Sequence, residues 1–290
     1  MPAGSCPFCP GSGRVPGDYD VFLYANDFAA LSLDNPPFAA PAGLFASTGA
    51  HGSSDVVLYH ANHNLNPSQL TVTQWEKIVG LWTARYRVLA ARPEIQYVYI
   101  FENTGEAIGV TMPHPHGQIY AFPFVPPLAE RELDSAAAYY KSQKECLYCR
   151  LLREELAAGV RIVKENESFV AFVPYAARFP AEMQIGARRH CSGLADLSAR
   201  EAADLAALIK TMRMKYDHLF GFPMPLMMIL RHPPAQGVHP YAHFRIDFFP
   251  IQRSATKLKY LASVESGSGT FLSDTVPEEK ARELRETEPL

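Results

Sequence analysis

The chain has 290 residues, 48% of them hydrophobic and 20% charged, with a net charge of -3 from 27 basic and 30 acidic side chains. That balance suits a soluble globular protein of one or two domains and excludes the basic field that a nucleic acid or an anionic membrane would need. No apolar run approaches a membrane span, and the opening "MPAGSCPFCPG" lacks the charged and apolar regions of a secretory leader, so a cytoplasmic location is expected.

In chain order, "DVFLYAND" (20–27) and "DVVLYHANH" (55–63) predict strands. A helix over about 73–91 follows, because Trp75, Ile78, Val79, Trp82, Tyr86 and Leu89 fall on one helical stripe; Thr71 with Gln74 reads as a capping box. Strands at 95–103 and 117–125 come next, then a charged segment, Leu128 to Lys144, that reads as helix. Strands at 168–176 and 181–188 lead to a helix from about Ser198 to Phe220, with Leu205, Leu208, Ile209, Met212 and Tyr216 on its stripe. Ser198 with Glu201 caps its start, and Gly221 stops it. Strands at 226–232 and 243–251 close the pattern. Strand, strand, helix, strand, strand thus occurs twice. Short or helical connections favour an antiparallel α+β sheet with helices on one face, built from two tandem units, 1–135 and 136–290.

The cysteines repeat with the elements. Cys6-x-x-Cys9 is followed by His63 and His114, and Cys146-x-x-Cys149 by His190 and His243. A reducing cytoplasm disfavours disulfides, so paired thiols at this spacing point to metal or redox chemistry. The loop "SCPFCPGSGR" does not lead into the helix a redox pair would need. The two histidines of each set lie 51 and 53 positions apart, and one ordered ligand set occurring twice argues against coincidence. Each set offers zinc four protein ligands and leaves no open position, which predicts structural sites; iron accepts the same ligands. Cys191 has no partner and reads as a small core residue.

The stretch "TMPHPHGQIYAFP" (111–123) carries the reactive chemistry. Proline between the two histidines marks the start or edge of a strand. His114 ties this chain segment to the metal and frees His116 to face a substrate. A neutral imidazole is a good nucleophile at pH 7, and attack on phosphorus gives a phosphoramidate that divides one displacement into two. Gly117 is expected to let a ligand approach the backbone. Gln118 is a neutral donor for a non-bridging phosphoryl oxygen and cannot act as an acid, which suits a phosphate leaving group.

On "HPHGQ" (114–118), "FENTGEAIG" (101–109), "CPFCPG" (6–11), "NDFAAL" (26–31), "RSATK" (253–257) and "GSGTF" through "PEEKA" (267–281), the chain resembles galactose-1-phosphate uridylyltransferases of the histidine-triad superfamily over nearly its whole length. The resemblance implies two tandem histidine-triad-like units in a half-barrel sheet, with a homodimer as the assembly. It implies that His116 becomes uridylylated by UDP-glucose, that Gln118 holds the phosphoryl oxygens, and that galactose-1-phosphate then attacks in a ping-pong cycle. It further implies that Asn103, Gly109 and Thr111 line the phosphates, Asn26 and Asp27 the uridine and ribose, and Lys259 and Glu265 the hexose, often across the dimer interface. Arg14, Lys257 and Lys259 are the basic groups available for phosphate. Arg245 stands, by the repeat, where the first half has His116, which argues for one active centre per chain. Some relatives use a second metal set matching Glu132, His232 and His243; the cysteine-containing set is preferred here because Arg245 sits where that arrangement wants a histidine.

Three functions compete. The first is UDP-glucose–hexose-1-phosphate uridylyl transfer. The second keeps the histidine chemistry with ADP-glucose, a dinucleoside polyphosphate or another sugar-1-phosphate. The third is a non-enzymatic zinc-stabilised nucleotide binder, against which His116 and Gln118 both speak.

Overall fold

The computed structural model describes residues 2–35, 43–45 and 47–288. One antiparallel sheet holds nine strands: β1 (Phe22–Ala25), β2 (Ser53–Leu58), β3 (Tyr97–Thr104), β4 (His116–Phe122), β5 (Ile162–Glu165), β6 (Phe169–Phe172), β7 (Met183–Ala187), β8 (Leu226–Arg231) and β9 (Arg245–Pro250). Their order in space is β1-β2-β4-β3-β8-β9-β7-β6-β5. β3 and β8 therefore join the halves at the centre. On either side of that seam β1-β2-β4-β3 is mirrored by β6-β7-β9-β8, with β5 added at the outer edge. The tandem repeat is thus a structural one, in a single continuous open sheet.

Helices α1 (Val72–Ala90) and α4 (Ala199–Phe220) are the corresponding elements of the repeat. The Thr71 hydroxyl accepts the Gln74 N–H and starts α1. The expected capping box is only half made, because the Gln74 amide turns away and donates to the carbonyls of Asp20 and Tyr59, each at 2.5 Å. Ser198 and Glu201 form a complete box on α4, which ends at Gly221 with φ +78°. The two helices pack on one sheet face and bury the predicted stripes, Trp75 and Trp82 included, against Val57, Val98, Ile100, Ile119, Leu230 and Ile246. Removing either indole would cost about 3–5 kcal/mol.

Strand alternation sorts the other face. In β4, Gly117, Ile119 and Ala121 are buried toward the helices, whereas His116, Gln118, Tyr120 and Phe122 point outward and are half-buried. α2 (Pro127–Gln143) matches the predicted helical segment. α3 (Leu147–Ala158) opens at Cys146 and lies on the outward face, its Leu152 against Val170 and Phe172. Sequence periodicity missed β5, the small ribbon β10 (Gln252–Ser254) with β11 (Lys257–Leu258), and helices α3, α5 (Ser263–Ser268) and α6 (Pro277–Glu286). All but α3 are short, and α3 is hidden behind the cysteine spacing. Buried Lys215 of α4 donates to the carbonyls of Leu284, Arg285 and Thr287 and so docks α6. Among the described residues no helix is long and apolar enough to cross a membrane.

Candidate active site and metal centres

The β2–β4 ladder sets the position of His116. Leu58 pairs with His116, and the Tyr59 N–H donates to the Pro115 carbonyl at 2.9 Å. His116 Nδ1 lies 2.8 Å from the His114 carbonyl. A carbonyl only accepts, so Nδ1 carries the proton and Nε2 keeps its lone pair. Burial lowers the His116 pKa below its ordinary value of 6.5, which leaves the imidazole neutral at pH 7. The Phe8 ring, from the first cysteine loop, stands 5.6 Å from the imidazole.

Two cavities meet at Thr111, Met112 and His116. The larger, about 810 Å³, is lined by Phe8, Arg14, Asn26, Asp27, Phe28 and Gln118 among others. The second, about 510 Å³, reaches Glu102, Asn103, Gly109 and His114. Of the nine residues that the sequence marked for catalysis or substrate, seven, His116, Gln118, Asn26, Asp27, Asn103, Gly109 and Thr111, are brought together around these cavities. Asn26 Oδ1 also accepts the Phe28 N–H at 3.0 Å, a turn contact, and Asp27 is engaged by Arg14 and by the Tyr24 hydroxyl. Gly109, at φ +83°, opens onto free space that no Cβ would fill.

The tail residues lie elsewhere. Lys259 Nζ pairs with Glu265 at 3.2 Å and donates to the Leu272 carbonyl at 2.7 Å, and neither residue lines the two cavities. Gly117 corrects an expectation. It faces the core, not the ligand side, and a Cβ there would collide with the Tyr59 hydroxyl.

Cys6, Cys9, His63 and His114 converge, as do Cys146, Cys149, His190 and His243, with each set's ligand atoms all within 4.8 Å of one another. In the first set Cys9 Sγ is 3.4 Å from His63 Nδ1 and 3.6 Å from His114 Nδ1; in the second, Cys149 Sγ is 3.5 Å from His190 Nδ1 and 3.3 Å from His243 Nδ1. Sulfur and nitrogen at the corners of a zinc tetrahedron stand about 3.5 Å apart, so both sets fit a bound metal ion. The outer contacts fit too: His114 Nε2 donates to the His60 carbonyl at 2.8 Å, and His243 Nε2 to that of Ala187 at 2.9 Å. Burial pushes the Cys9 thiol up to about 11, and a neighbouring thiolate opposes its ionisation further; a cation between them reverses both effects. The Tyr19 hydroxyl, 2.9 Å from His114 Nε2, is a supporting group that no sequence signal marked.

The alternative second set does not form. His232 stands apart from the cluster, stacked between Tyr86 and Phe244 at 4.6 and 5.7 Å between ring centres. Glu132 is taken by Arg245 at 2.8 Å. Arg245, first residue of β9, occupies the place that His116 has in β4, and Asp247 that of Gln118. Asp247 accepts from Arg245 at 3.0 Å and from Arg231 at 2.7 Å, a closed ionic cluster with no nucleophile.

Comparison with known proteins agrees with this architecture. The family described as galactose-1-phosphate uridyl transferase, N-terminal domain, matches residues 3–126, and its C-terminal-domain counterpart matches residues 132–289. The galactose-1-phosphate uridylyltransferase of Thermotoga maritima is 39% identical, over 98% of this chain and 89% of that protein. A solved uridylyltransferase mutant superposes with a TM-score of 0.93 at 34% identity, covering 98% of this chain and 91% of that one. An ADP-glucose phosphorylase from Arabidopsis thaliana with bound ADP-glucose is more distant, with a TM-score of 0.85 at 25% identity over 100% of this chain and 91% of that one. The chain belongs to the galactose-1-phosphate uridylyltransferase family.

Proposed function

We propose that this protein is a UDP-glucose–hexose-1-phosphate uridylyltransferase that works through a covalent uridylyl-His116. The observation that carries the reading is the His116 imidazole, its Nδ1–H held by the His114 carbonyl and its Nε2 free at the junction of two cavities. Nε2 attacks the α-phosphorus of UDP-glucose. The bond from that phosphorus to the bridging oxygen breaks, and glucose-1-phosphate leaves with the electron pair. The resulting imidazolium keeps its Nδ1–H against the His114 carbonyl. A phosphate oxygen of galactose-1-phosphate then attacks the same phosphorus, the N–P bond breaks, and UDP-galactose leaves; no net proton is gained or lost. Gln118, on the same strand face, donates to the non-bridging oxygen on which charge collects.

Asn26 and Asp27 serve the nucleoside end, and Asn103, Gly109 and Thr111 the phosphates. Zinc, held by each Cys2His2 set, supplies cross-links that fix the chain; the reaction runs on the chain's own groups. The two halves act as histidine-triad-like units, 1–135 and 136–290. A homodimer is supported by the apolar tail, where Tyr260, Leu261, Val264 and Leu272 are exposed beside Lys259 and Glu265; it would carry that pair toward the partner's hexose. Light scattering on the purified protein tests the dimer.

The experiment for the chemistry is intact-protein mass spectrometry, without acid quench, after mixing with UDP-glucose or ADP-glucose. A uridylyl adduct on the wild type, absent from His116→Ala, is expected. An adenylyl adduct instead would move the reading to the phosphorylase side, and no adduct from either would overturn covalent transfer.

A further inference from the structure

Behind His116, on the core side of the sheet, lies a polar cluster that the transfer reading leaves unused. Tyr59 is fully buried, and Glu102 and Arg213 are each 1% exposed. Arg213 comes from α4, in the other half of the chain. Its Nη1 lies 3.2 Å from Glu102 Oε1, and its Nη2 donates to the Thr104 hydroxyl at 3.0 Å, which in turn donates to Glu102 at 2.6 Å.

The ladder places Val57 and Glu102 on either side of Gly117, with Tyr59 two residues beyond Val57 and opposite Pro115. Val57 pairs with Gly117 across β2 and β4, and Phe101 with Gln118 across β3 and β4, so Glu102 is one step along, beside Gly117. Since Gly117 has no side chain, the Tyr59 ring end fits into the notch against its Cα. There the Tyr59 hydroxyl and Glu102 Oε2 are both buried, and neither has a hydrogen-bond partner among the described residues. The phenol is raised well above its usual value, by burial first and then by the Glu102 charge.

The same tyrosine also touches the strand on the other side of the nucleophile, through its N–H on the Pro115 carbonyl. Its ring is in turn wedged by Trp75 and Trp82, at 5.6 and 6.1 Å between ring centres, and its own carbonyl is held by Gln74. Tyr59 thus contacts Pro115 and Gly117, the two neighbours of His116, from behind.

We infer that Tyr59, packed against Gly117 beside the Glu102–Arg213 pair, is a positioning residue for the His116 nucleophile, a clamp that holds the backbone on both sides of it. The clamp rests on the transfer reading for its catalytic meaning, though not for its geometry. It also assigns the C-terminal half a part in the catalytic half, since Arg213 anchors the carboxylate that faces the tyrosine.

Tyr59→Phe removes the hydroxyl alone. In the metal-loaded full chain, single-turnover adduct formation with UDP-glucose is expected to reach full amplitude with a rate constant about tenfold lower, since small misplacements of a nucleophile cost this much or more. A merely structural role would lower the amplitude, through the folded fraction, and leave the rate constant alone. The second readout is the ring tautomer, by 15N NMR of histidine-labelled protein: His116 should be Nδ1–H throughout in the wild type and mixed in Tyr59→Phe. A wild-type rate constant together with a wild-type tautomer would overturn the clamp. If the wild type forms no adduct, the transfer reading falls, and the tautomer comparison decides the clamp by itself. If Tyr59→Phe does not fold, Gly117→Ala takes its place: by pushing the Tyr59 ring end out of its notch it should slow the adduct at full amplitude, and an unchanged rate constant would overturn the proposal.

Discussion

His116 begins β4 and Arg245 begins β9, each two residues after a cluster histidine, and each on the outward face of the same sheet. Both look into cavities of nearly equal size, about 810 and 820 Å³. At His116 a backbone carbonyl holds the Nδ1–H, the charged Arg14 and Asp27 of its cavity pair with one another, and the imidazole lone pair is unclaimed. Around Arg245, which stands over the Tyr148 ring, the charged groups are taken: Glu132, Asp247 and Arg231 close on one another. One scaffold, duplicated, therefore holds an open reactive cleft in one half and a neutralised ionic cluster in the other. Chemistry here depends on which side chains stand at two strand positions, and the backbone alone does not confer it.

The metal sets differ as well. In both the second cysteine is only partly covered, and they differ at one ligand: His63 of the first is buried, whereas His190 of the second is exposed. A bound ion should be harder to remove from the first.

The comparison can be broken most directly at His116. His116→Ala should abolish adduct and turnover with a melting temperature within a few degrees of wild type, and the wild type should take up one uridylyl group per chain; two would restore a second active centre. Next in size, Cys6→Ser or His114→Ala should lower the melting temperature strongly, because structural metal binding is folding free energy; melting equal to that of His116→Ala would remove the division between ligand and nucleophile. Asp247→Asn should cost about 3–5 kcal/mol, since it leaves two buried arginines undercompensated, while adduct formation per folded chain stays intact. Denaturant unfolding and adduct stoichiometry together check that pairing. A chelator titration followed by metal analysis should empty the second centre before the first; the reverse order would contradict the burial argument.

The smallest effect concerns Glu182, in the second cleft. Burial raises its carboxyl from 4.5 to about 7. Its proton therefore stabilises the fold fully below about pH 4.5, and that contribution is lost as pH rises through 7. Glu182→Gln should flatten the fall in melting temperature between pH 5 and 8; an unchanged slope would place the titration elsewhere.

Much of this was legible in the chain. Helices α1 and α4 are written as apolar stripes with caps, and they fall within about a residue of where the stripes put them. The duplicated Cys-x-x-Cys, His, His order named both ligand sets before any coordinates, because ligand identity and order survive changes in loop length. Within "HPHGQ", His114 joins the first cysteine cluster and His116 lines the cavity, as the sequence expected. Short β5, the ribbon and α6 carry too few residues for a period to show. The sequence preferred the cysteine set with His190 to the one with Glu132, His232 and His243, and the structure gathers the preferred set and leaves His232 as a stacked core ring.

By itself the sequence determined the elements, the two ligand sets and the chemical type of the centre, since these rest on local periodicity and on the intrinsic reactivity of side chains. Only the tertiary structure decided that Gly117 serves the core, that Lys259 and Glu265 satisfy one another, and that Tyr59, Glu102 and Arg213 meet behind the nucleophile. The first and last of those outcomes depend on contacts between residues tens to more than a hundred positions apart, whose registry is set by the sheet, and the Lys259–Glu265 pair, six positions apart, depends on how the chain turns after the ribbon.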